Sequence, residues 1–150
     1  MSETPPSAGE ILAATVPMVR ALHLHYVETT PERAVVELPD QPEFHNHVGG
    51  PHAGAMFTLA ESASGAVVLG AFGDQLARVV PLPVRAEIAW TRIARGRVRA
   101  TATLGRPAAE VVAELDAGRR PEFPIQVSVT REDGAETSRL TVIWTLRPDS

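Results

Sequence analysis

The chain has 150 residues, a formal charge of −4 and 44% hydrophobic residues, enough apolar sequence for one domain with its own core. It has no basic stripe, so nucleic acid is not expected as a partner. Because it has no cysteine and all 14 of its basic residues are arginine, disulfides, thiolate metal sites, cysteine nucleophiles and lysine-based catalysis are excluded.

The N-terminal segment, residues 1–9, is polar and contains two prolines, which predicts a disordered tail before a single domain over residues 10–150. The segment has neither the basic start nor the apolar centre of a secretory signal. The apolar run over residues 53–73 is rich in small residues and interrupted by Glu61, which is typical of a buried helix. We therefore expect a cytoplasmic protein without a membrane partner.

The first half of the chain predicts a short helix, a hairpin and a long helix. The helix is expected over residues 10–16, and the hairpin pairs strands over residues 18–27 and 34–38. An irregular loop over residues 39–51 leads into the long helix, 53–69, which Gly70 and Gly73 are expected to stop.

The second half predicts four strands and a further helix. Alternation of apolar residues predicts strands over 78–93 and 97–104, with a turn at Gly96. Residues 107–117 permit a helix, and strands over 123–130 and 137–146 flank the Asp133–Gly134 turn. This order favours an α+β fold with an antiparallel sheet.

The residues that suggest chemistry lie around the start of the long helix. Glu61 is the only charged residue between positions 53 and 73, where a bare carboxylate is costly. Helical spacing puts it on one face with Gly54, Thr58 and Gly65. Glu61 could be a general base that activates water or a nucleophile that attacks a carbonyl group. In either case the Gly54 N–H would hold the oxyanion that forms on the attacked carbonyl. Alternatively, it pairs with an arginine in the core or at a dimer interface.

The pattern Asn46-x-x-Gly49-x-x-His52-x-Gly54, followed by Leu59-Ala60-Glu61, resembles hotdog-fold thioesterases of the phenylacetyl-CoA thioesterase type. Those enzymes have Gly and Asp where this chain has Ala53 and Glu61. The resemblance covers roughly residues 18–148. It implies a hotdog fold, an antiparallel sheet of five to six strands wrapped around one long central helix.

The same resemblance implies an acyl-CoA thioesterase with no cofactor besides the coenzyme A of its substrate. Its catalytic residues would be Glu61 and Gly54, with Asn46 and His52 positioning substrate and water. Substrate would also contact Gly49, Thr58 and Ser62. The protein would be a homodimer or a dimer of dimers, with each acyl pocket between the helix of one subunit and strands of the other.

Three arginines near Gly96, namely Arg92, Arg95 and Arg97, could bind coenzyme A phosphates, because guanidinium groups suit phosphate geometry. They could equally be ordinary surface charge.

Two other functions stay open. The departures at Ala53 and Glu61 suggest a non-catalytic acyl-CoA or lipid-binding hotdog module. His47 before Glu61 is compatible with hydration or dehydration of a hydroxyacyl thioester. No metal is expected, because His45, His47 and His52 match no zinc-binding pattern.

Overall fold

The computed structural model describes residues 4–149, which form one curved six-stranded sheet around a long helix. The helices are α1 (Ala8–Thr15), α2 (Pro17–Ala21), α3 (Ala53–Phe72) and α4 (Ala108–Asp116). The strands are β1 (His25–Thr29), β2 (Arg33–Leu38), β3 (Val79–Trp90), β4 (Val98–Leu104), β5 (Glu122–Thr130) and β6 (Glu136–Pro148). All neighbours are antiparallel, in the order β1-β2-β4-β5-β6-β3.

The sheet encloses α3 because its strands alternate between apolar and polar side chains. In β4, Val98, Ala100 and Ala102 are fully buried, whereas Arg99 and Thr103 are exposed. The central helix contacts four inner strands and also both edge strands, β1 and β3. This arrangement confirms the predicted α+β hotdog fold with one long central helix.

The rotation of α3 within the sheet is fixed by a buried hydrogen-bond chain. The Trp144 indole N–H donates to Ser64 Oγ at 3.0 Å, and the Ser64 hydroxyl donates to the Glu61 carbonyl oxygen at 2.6 Å. Trp144 also lies against Gly65. Because an indole N–H needs a buried partner, these contacts set which face of α3 turns away from the sheet. That face carries Glu61.

The helix meets the length and composition of a membrane span, but 61% of its most apolar stretch is buried inside the protein. Its hydrophobicity is thus accounted for by the core that it forms with the sheet.

The N-terminal region differs from the sequence prediction. The segment predicted as a disordered tail contains the start of α1, since Ala8 and Gly9 are helical and Ser7 forms a capping box with Glu10. Residues 1–3 of that predicted tail lie outside the described residues. The strand predicted from residue 18 is wrong at its beginning, because Pro17 starts α2, and β1 begins only at His25.

The end of α3 differs from the prediction at Gly70, which does not stop the helix; α3 continues to Phe72, and Gly73 is its C-cap as predicted. A Cβ at Gly70 would lie 2.9 Å from the Thr30 carbonyl oxygen. The glycine therefore permits close packing of α3 on the β1–β2 turn. The strands and α4 in the second half form within a few residues of their predicted bounds.

Candidate active site

The loop before α3 is braced by Asn46. Its Oδ1 accepts hydrogen bonds from the backbone N–H groups of Val48 at 3.0 Å and Gly50 at 3.2 Å. Its Nδ2 donates to the Pro51 carbonyl oxygen at 3.4 Å. Both polar ends of the amide are thus engaged within the loop, and the contribution of Asn46 to the site is to shape the approach to α3.

The two glycines of this loop have different roles. Gly49 is exposed and has a φ of +76°, a backbone conformation that residues with a side chain rarely adopt. Gly50 is buried, and a Cβ there would lie 2.0 Å from the Ala94 carbonyl oxygen. Arg95 adds a hydrogen bond to the Val48 carbonyl oxygen at 3.2 Å. The loop is therefore held against the segment between β3 and β4.

His52 caps the N-terminus of α3. The Gly54 N–H donates to Nδ1 of His52 at 2.8 Å, so Nδ1 is unprotonated and Nε2 carries the proton. The predicted oxyanion donor, the Gly54 N–H, is already engaged in this arrangement. The His52 Nε2–H remains available, and the Ala55 N–H has no backbone acceptor among the described residues.

A cavity of about 220 Å³ lies beside this helix end. It is lined by Met18, Leu22, Glu43, Phe44, His45, His52, Gly54, Ala55 and Thr58. The helix dipole favours developing negative charge at this end. The cavity is therefore suited to hold a polarised carbonyl group.

The three histidines of the loop serve separate purposes. His45 Nε2 lies 2.6 Å from Asp40 Oδ1, His47 is exposed, and His52 caps α3. Within residues 4–149, no group of three or more histidine and acidic side chains is arranged to hold a metal ion.

Glu61 lies about two helical turns beyond Gly54 on the same face of α3. Within the described part of the chain its carboxylate has no hydrogen bond and no ion pair. Burial raises the pKa of Glu61 above its usual value. The predicted alternative of an arginine partner in the core is not present in the described chain, because the nearby Arg85 pairs with Glu122 at 3.3 Å. An arginine partner at a dimer interface stays a prediction.

A cavity of about 400 Å³ opens onto Glu61 from the β3 side. Its lining is mainly apolar and consists of Phe57, Thr58, Glu61, Pro83, Val84, Arg85, Ala86 and Val142. Thr58 contributes to this cavity and to the one beside His52, and its hydroxyl donates to the Gly54 carbonyl oxygen at 3.0 Å. The structure therefore brings Thr58 and Glu61 together in a cavity that could hold an acyl group.

The other predicted contacts lie elsewhere. Ser62 is buried, with 9% of its surface exposed, and lines neither cavity. Arg92 donates to the Glu136 carbonyl oxygen at 3.1 Å, whereas Arg97 lies between Glu37 and Glu132. The arginines do not converge on Glu61.

Arg97 does line a separate cavity of about 280 Å³ together with Arg99 and Arg131. Arg131 also adjoins Arg95 in a neighbouring depression. A larger arginine group than the predicted one therefore surrounds the end of the β5–β6 hairpin.

Two features of the site were not predicted. Tyr26 of β1 is close enough to Glu61 for the carboxylate to affect its pKa, and Val84 with Arg85 forms one wall of the Glu61 cavity. The sequence signals for them are weak: Tyr26 is the only tyrosine, and Val84 lies in a period-two run.

Comparisons with known proteins agree with this fold. The family model described as "Domain of unknown function (DUF4442)" matches residues 8–146. No curated protein matches the chain.

Two solved structures are similar along nearly their whole length. One is a protein of unknown function from Pseudomonas aeruginosa, named a probable thioesterase, with 25% identity and a TM-score of 0.83; 95% of this chain and 94% of that chain are covered. The other is a thioesterase family protein from Silicibacter pomeroyi, with 18% identity and a TM-score of 0.75; 95% of this chain and 97% of that chain are covered. The chain therefore has a thioesterase-like hotdog fold.

Proposed function

The chain belongs to the family described as Domain of unknown function (DUF4442), and from the geometry around Glu61 we propose that it hydrolyses acyl-CoA thioesters to the free acid and coenzyme A. Its similarity to a structure named a probable thioesterase supports this proposal. The motif around Asn46 and His52 supports an enzyme of the phenylacetyl-CoA thioesterase type.

The observation that carries the proposal is the carboxylate of Glu61, which has no partner within residues 4–149 and lies at a largely apolar cavity. Burial of an ionisable group without a partner costs free energy, and residues whose pKa is perturbed in a cleft are often functional. A carboxyl group with a raised pKa is a better proton acceptor from water. Glu61 therefore has the properties of a general base.

In the proposed reaction, the Glu61 carboxylate removes a proton from water as the water oxygen attacks the thioester carbonyl carbon. The carbonyl electron pair moves onto oxygen and gives a tetrahedral oxyanion. When the carbonyl re-forms, the carbon–sulfur bond breaks and Glu61 returns the proton to the departing thiolate. If Glu61 instead attacks the carbonyl carbon directly, the carbon–sulfur bond breaks, the thiolate of coenzyme A leaves and a mixed anhydride forms. Water that then attacks the Glu61 carbonyl carbon releases the free acid, and a single turnover in heavy-oxygen water labels Glu61 itself.

The complete site requires a second copy of the chain. Glu61 follows Gly54 by seven residues, about 10 Å along a helix, which is too far for Glu61 and the helix N-terminus to act on one carbonyl. In a homodimer, a two-fold axis between antiparallel copies of α3 would bring the Glu61 of one copy towards the His52 and Ala55 of the other. We accordingly propose a homodimer with shared sites.

The surface that supports dimerisation is the edge strand β3. Val84 and Trp90 are 44% and 48% exposed on this strand, and neighbouring Ile93 is 56% exposed. An exposed edge strand of 12 residues can continue its sheet with a second copy. Pairing there would close the Glu61 cavity, because β3 forms one of its walls. A dimer of dimers would use other surfaces.

Coenzyme A phosphates are the proposed ligands of the arginines beside the loop. Arg95 is exposed and is hydrogen-bonded to the loop before α3. Arg97 and Arg131 line depressions at the end of the β5–β6 hairpin, where a phosphate would compete with their acidic partners, Glu37, Glu132 and Asp133. Guanidinium groups bind phosphate oxygens in pairs of hydrogen bonds. No cofactor is proposed, and the reaction as written needs only water.

A non-catalytic acyl-CoA-binding module is the second candidate. The observation that favours it is the Gly54 N–H, which is bonded to His52 Nδ1 rather than directed towards a substrate. Binding of an acyl-CoA without turnover would support this candidate.

The test is release of free thiol from a panel of aromatic and aliphatic acyl-CoA esters by the native protein and by Glu61→Ala. Turnover that is lost in the variant supports the proposal. If no ester in the panel releases thiol with the native protein, the proposal is wrong. If the ultraviolet absorbance of an enoyl thioester stays constant when the protein is added, that result would argue against hydration of the double bond.

A further inference from the structure

Three side chains of the edge strand β3 face α3. They are Ala86, Ile88 and Trp90, which share one face because successive residues of a strand point to opposite sides. Ile88 packs against the core, and Ala86 lines the cavity that opens onto Glu61. Trp90 is 48% exposed, although it lies on the same inner face. A half-exposed indole at this place indicates a surface that another molecule covers.

The backbone groups of the same three residues point to the free edge of the sheet. The Thr91 N–H donates to the Thr137 carbonyl oxygen of β6 at 2.8 Å, so Thr91 faces β6. Because the direction of the backbone groups alternates along a strand, Ala86, Ile88 and Trp90 face away from β6. Since β3 is the last strand of the sheet, these residues offer their N–H and C=O groups to a further strand.

The first part of β3 is unsuited to such pairing. The register with β6 shifts between Pro83 and Arg85, which leaves Val84 as a bulge and puts Pro81 and Pro83 on the edge-facing side. A proline has no N–H to donate there. Pairing of β3 with a further strand is therefore confined to residues 86–90.

A second copy of the chain fits this edge in one register. In a two-fold symmetric antiparallel pair, edge-facing residues oppose edge-facing residues. With the axis at Ile88, this residue opposes its own copy, and Ala86 opposes the partner subunit's Trp90. All three edge-facing residues are then paired. Moving the axis by one residue in either direction leaves one of the three without a counterpart.

The outer face of β3 is complementary in charge in the same register. The exposed Glu87 opposes Ala89 of the partner subunit, and Ala89 is paired with Arg139 of its own β6. Neighbouring strands are about 4.8 Å apart, so Glu87 lies about 9.6 Å across the small alanine from the partner subunit's Arg139, within reach of two long side chains. Arg139 is 69% exposed and has donors beyond its 3.0 Å contact with Glu136. The charges therefore favour a second copy as the occupant of this edge.

We propose that Trp90 of the partner subunit forms the outer wall of the acyl cavity that opens onto Glu61. This inference rests on the proposed function, whose shared site it completes. Opposed side chains on one face of an antiparallel pair have Cβ atoms about 5 Å apart, so the indole lies against Ala86 and, diagonally, against Val84. Both residues line the cavity. The small side chain of Ala86 leaves room for the indole.

Disulfide formation tests this contact, because the native chain has no cysteine. In a variant with both Ala86→Cys and Trp90→Cys, the two thiols of one chain are about 14 Å apart along the strand, too far to bridge. Across the proposed pair each thiol faces its counterpart, so mild oxidation should give a covalent dimer on a non-reducing gel. Each single variant should stay monomeric on that gel. A double variant that cross-links no more than the single variants would overturn the inference.

The variant Ile88→Cys tests the same register independently, because position 88 opposes its own copy. It should form a covalent dimer by itself. The matched control is Ala89→Cys, which should not cross-link, because position 89 opposes position 87 and its own copy lies two residues further along. Equal cross-linking of the two variants would overturn the register.

Acyl specificity provides the second readout. With thioesters that the protein turns over, Trp90→Ala should raise kcat/KM for a bulky acyl group relative to a compact one by about tenfold, because loss of the wall enlarges the cavity. Leu76→Ala, a change at an exposed apolar residue outside both cavities, should leave this ratio unchanged. An unchanged ratio in Trp90→Ala would contradict the inference. Cross-linking needs no turnover, so it succeeds or fails independently of the proposed hydrolysis.

Discussion

The Gly54 N–H donates a 2.8 Å hydrogen bond to Nδ1 of His52, and this bond leaves the imidazole with its proton on Nε2. One side chain therefore both caps α3 and offers a donor at the cavity beside the helix end. The two roles can be separated by substitution.

His52→Ser should keep the cap but lose the Nε2 donor, since a serine hydroxyl can accept from the same N–H. We expect a thermal stability close to that of the native protein and a kcat/KM reduced by about 10- to 100-fold. His52→Ala should show the same kinetic loss and, in addition, unfold more easily by about 1 kcal/mol. Thermal melts and thiol release measure the two effects. Full activity in His52→Ser would mean that His52 is only a cap.

Glu61 should make the protein less stable as pH rises. Its pKa is raised in the folded state, so the folded protein holds the proton more tightly than the unfolded chain. Stability from this group is therefore greatest below the usual glutamate pKa and falls as pH increases through the raised value. We expect Glu61→Gln to melt at a higher temperature than the native protein at neutral pH, with a difference that shrinks in acid. A difference independent of pH would contradict this account.

The edge strand β3 offers a matched test of dimerisation. Val84 on β3 and Val27 on β1 are similarly exposed, at 44% and 46%, and each lies on an edge strand. Val84→Arg should convert a dimer into a monomer in sedimentation experiments, because an arginine at the paired edge would be desolvated. Val27→Arg should leave the dimer intact. Equal effects of the two variants would place the interface elsewhere.

Shared sites can be tested by mixing inactive variants. A dimer with one Glu61→Gln subunit and one His52→Ser subunit contains one complete site if each site uses Glu61 and His52 from different chains. After subunit exchange, the mixture should therefore recover about a quarter of native turnover, since half of the dimers are mixed and each has one of two sites. Recovery no greater than the sum of the separate variants would show that each site lies within one chain.

Much of the fold follows from local patterns. Apolar alternation in β4 and the long run of small apolar residues in α3 are local properties, and both elements form close to their predicted bounds. The beginning of the predicted first strand is wrong. The buried apolar residues Val19 and Leu22 are compatible with a strand or with a helix, and Pro17 at the first helical position favours the helix. Periodicity alone does not separate these cases over so short a segment.

The site was predictable to the extent that it lies on one helix face. Thr58 and Glu61 were expected to share a face and do line one cavity. The engagement of the Gly54 N–H depends on the orientation of the His52 ring, which a sequence does not specify. The effect of Glu61 on the pKa of Tyr26 depends on the curl of the sheet around α3, which relates residues 35 positions apart.

Glu61→Gln tests the central claim most directly, because it keeps the size of the side chain and removes its ability to accept a proton. The measurement is thiol release from acyl-CoA esters at equal concentrations of the native protein, Glu61→Gln and Glu32→Gln, the last a change at an exposed carboxylate outside both cavities. We predict that Glu61→Gln loses turnover by about 100-fold or more, while Glu32→Gln matches the native protein. Equal turnover by all three proteins would contradict the account.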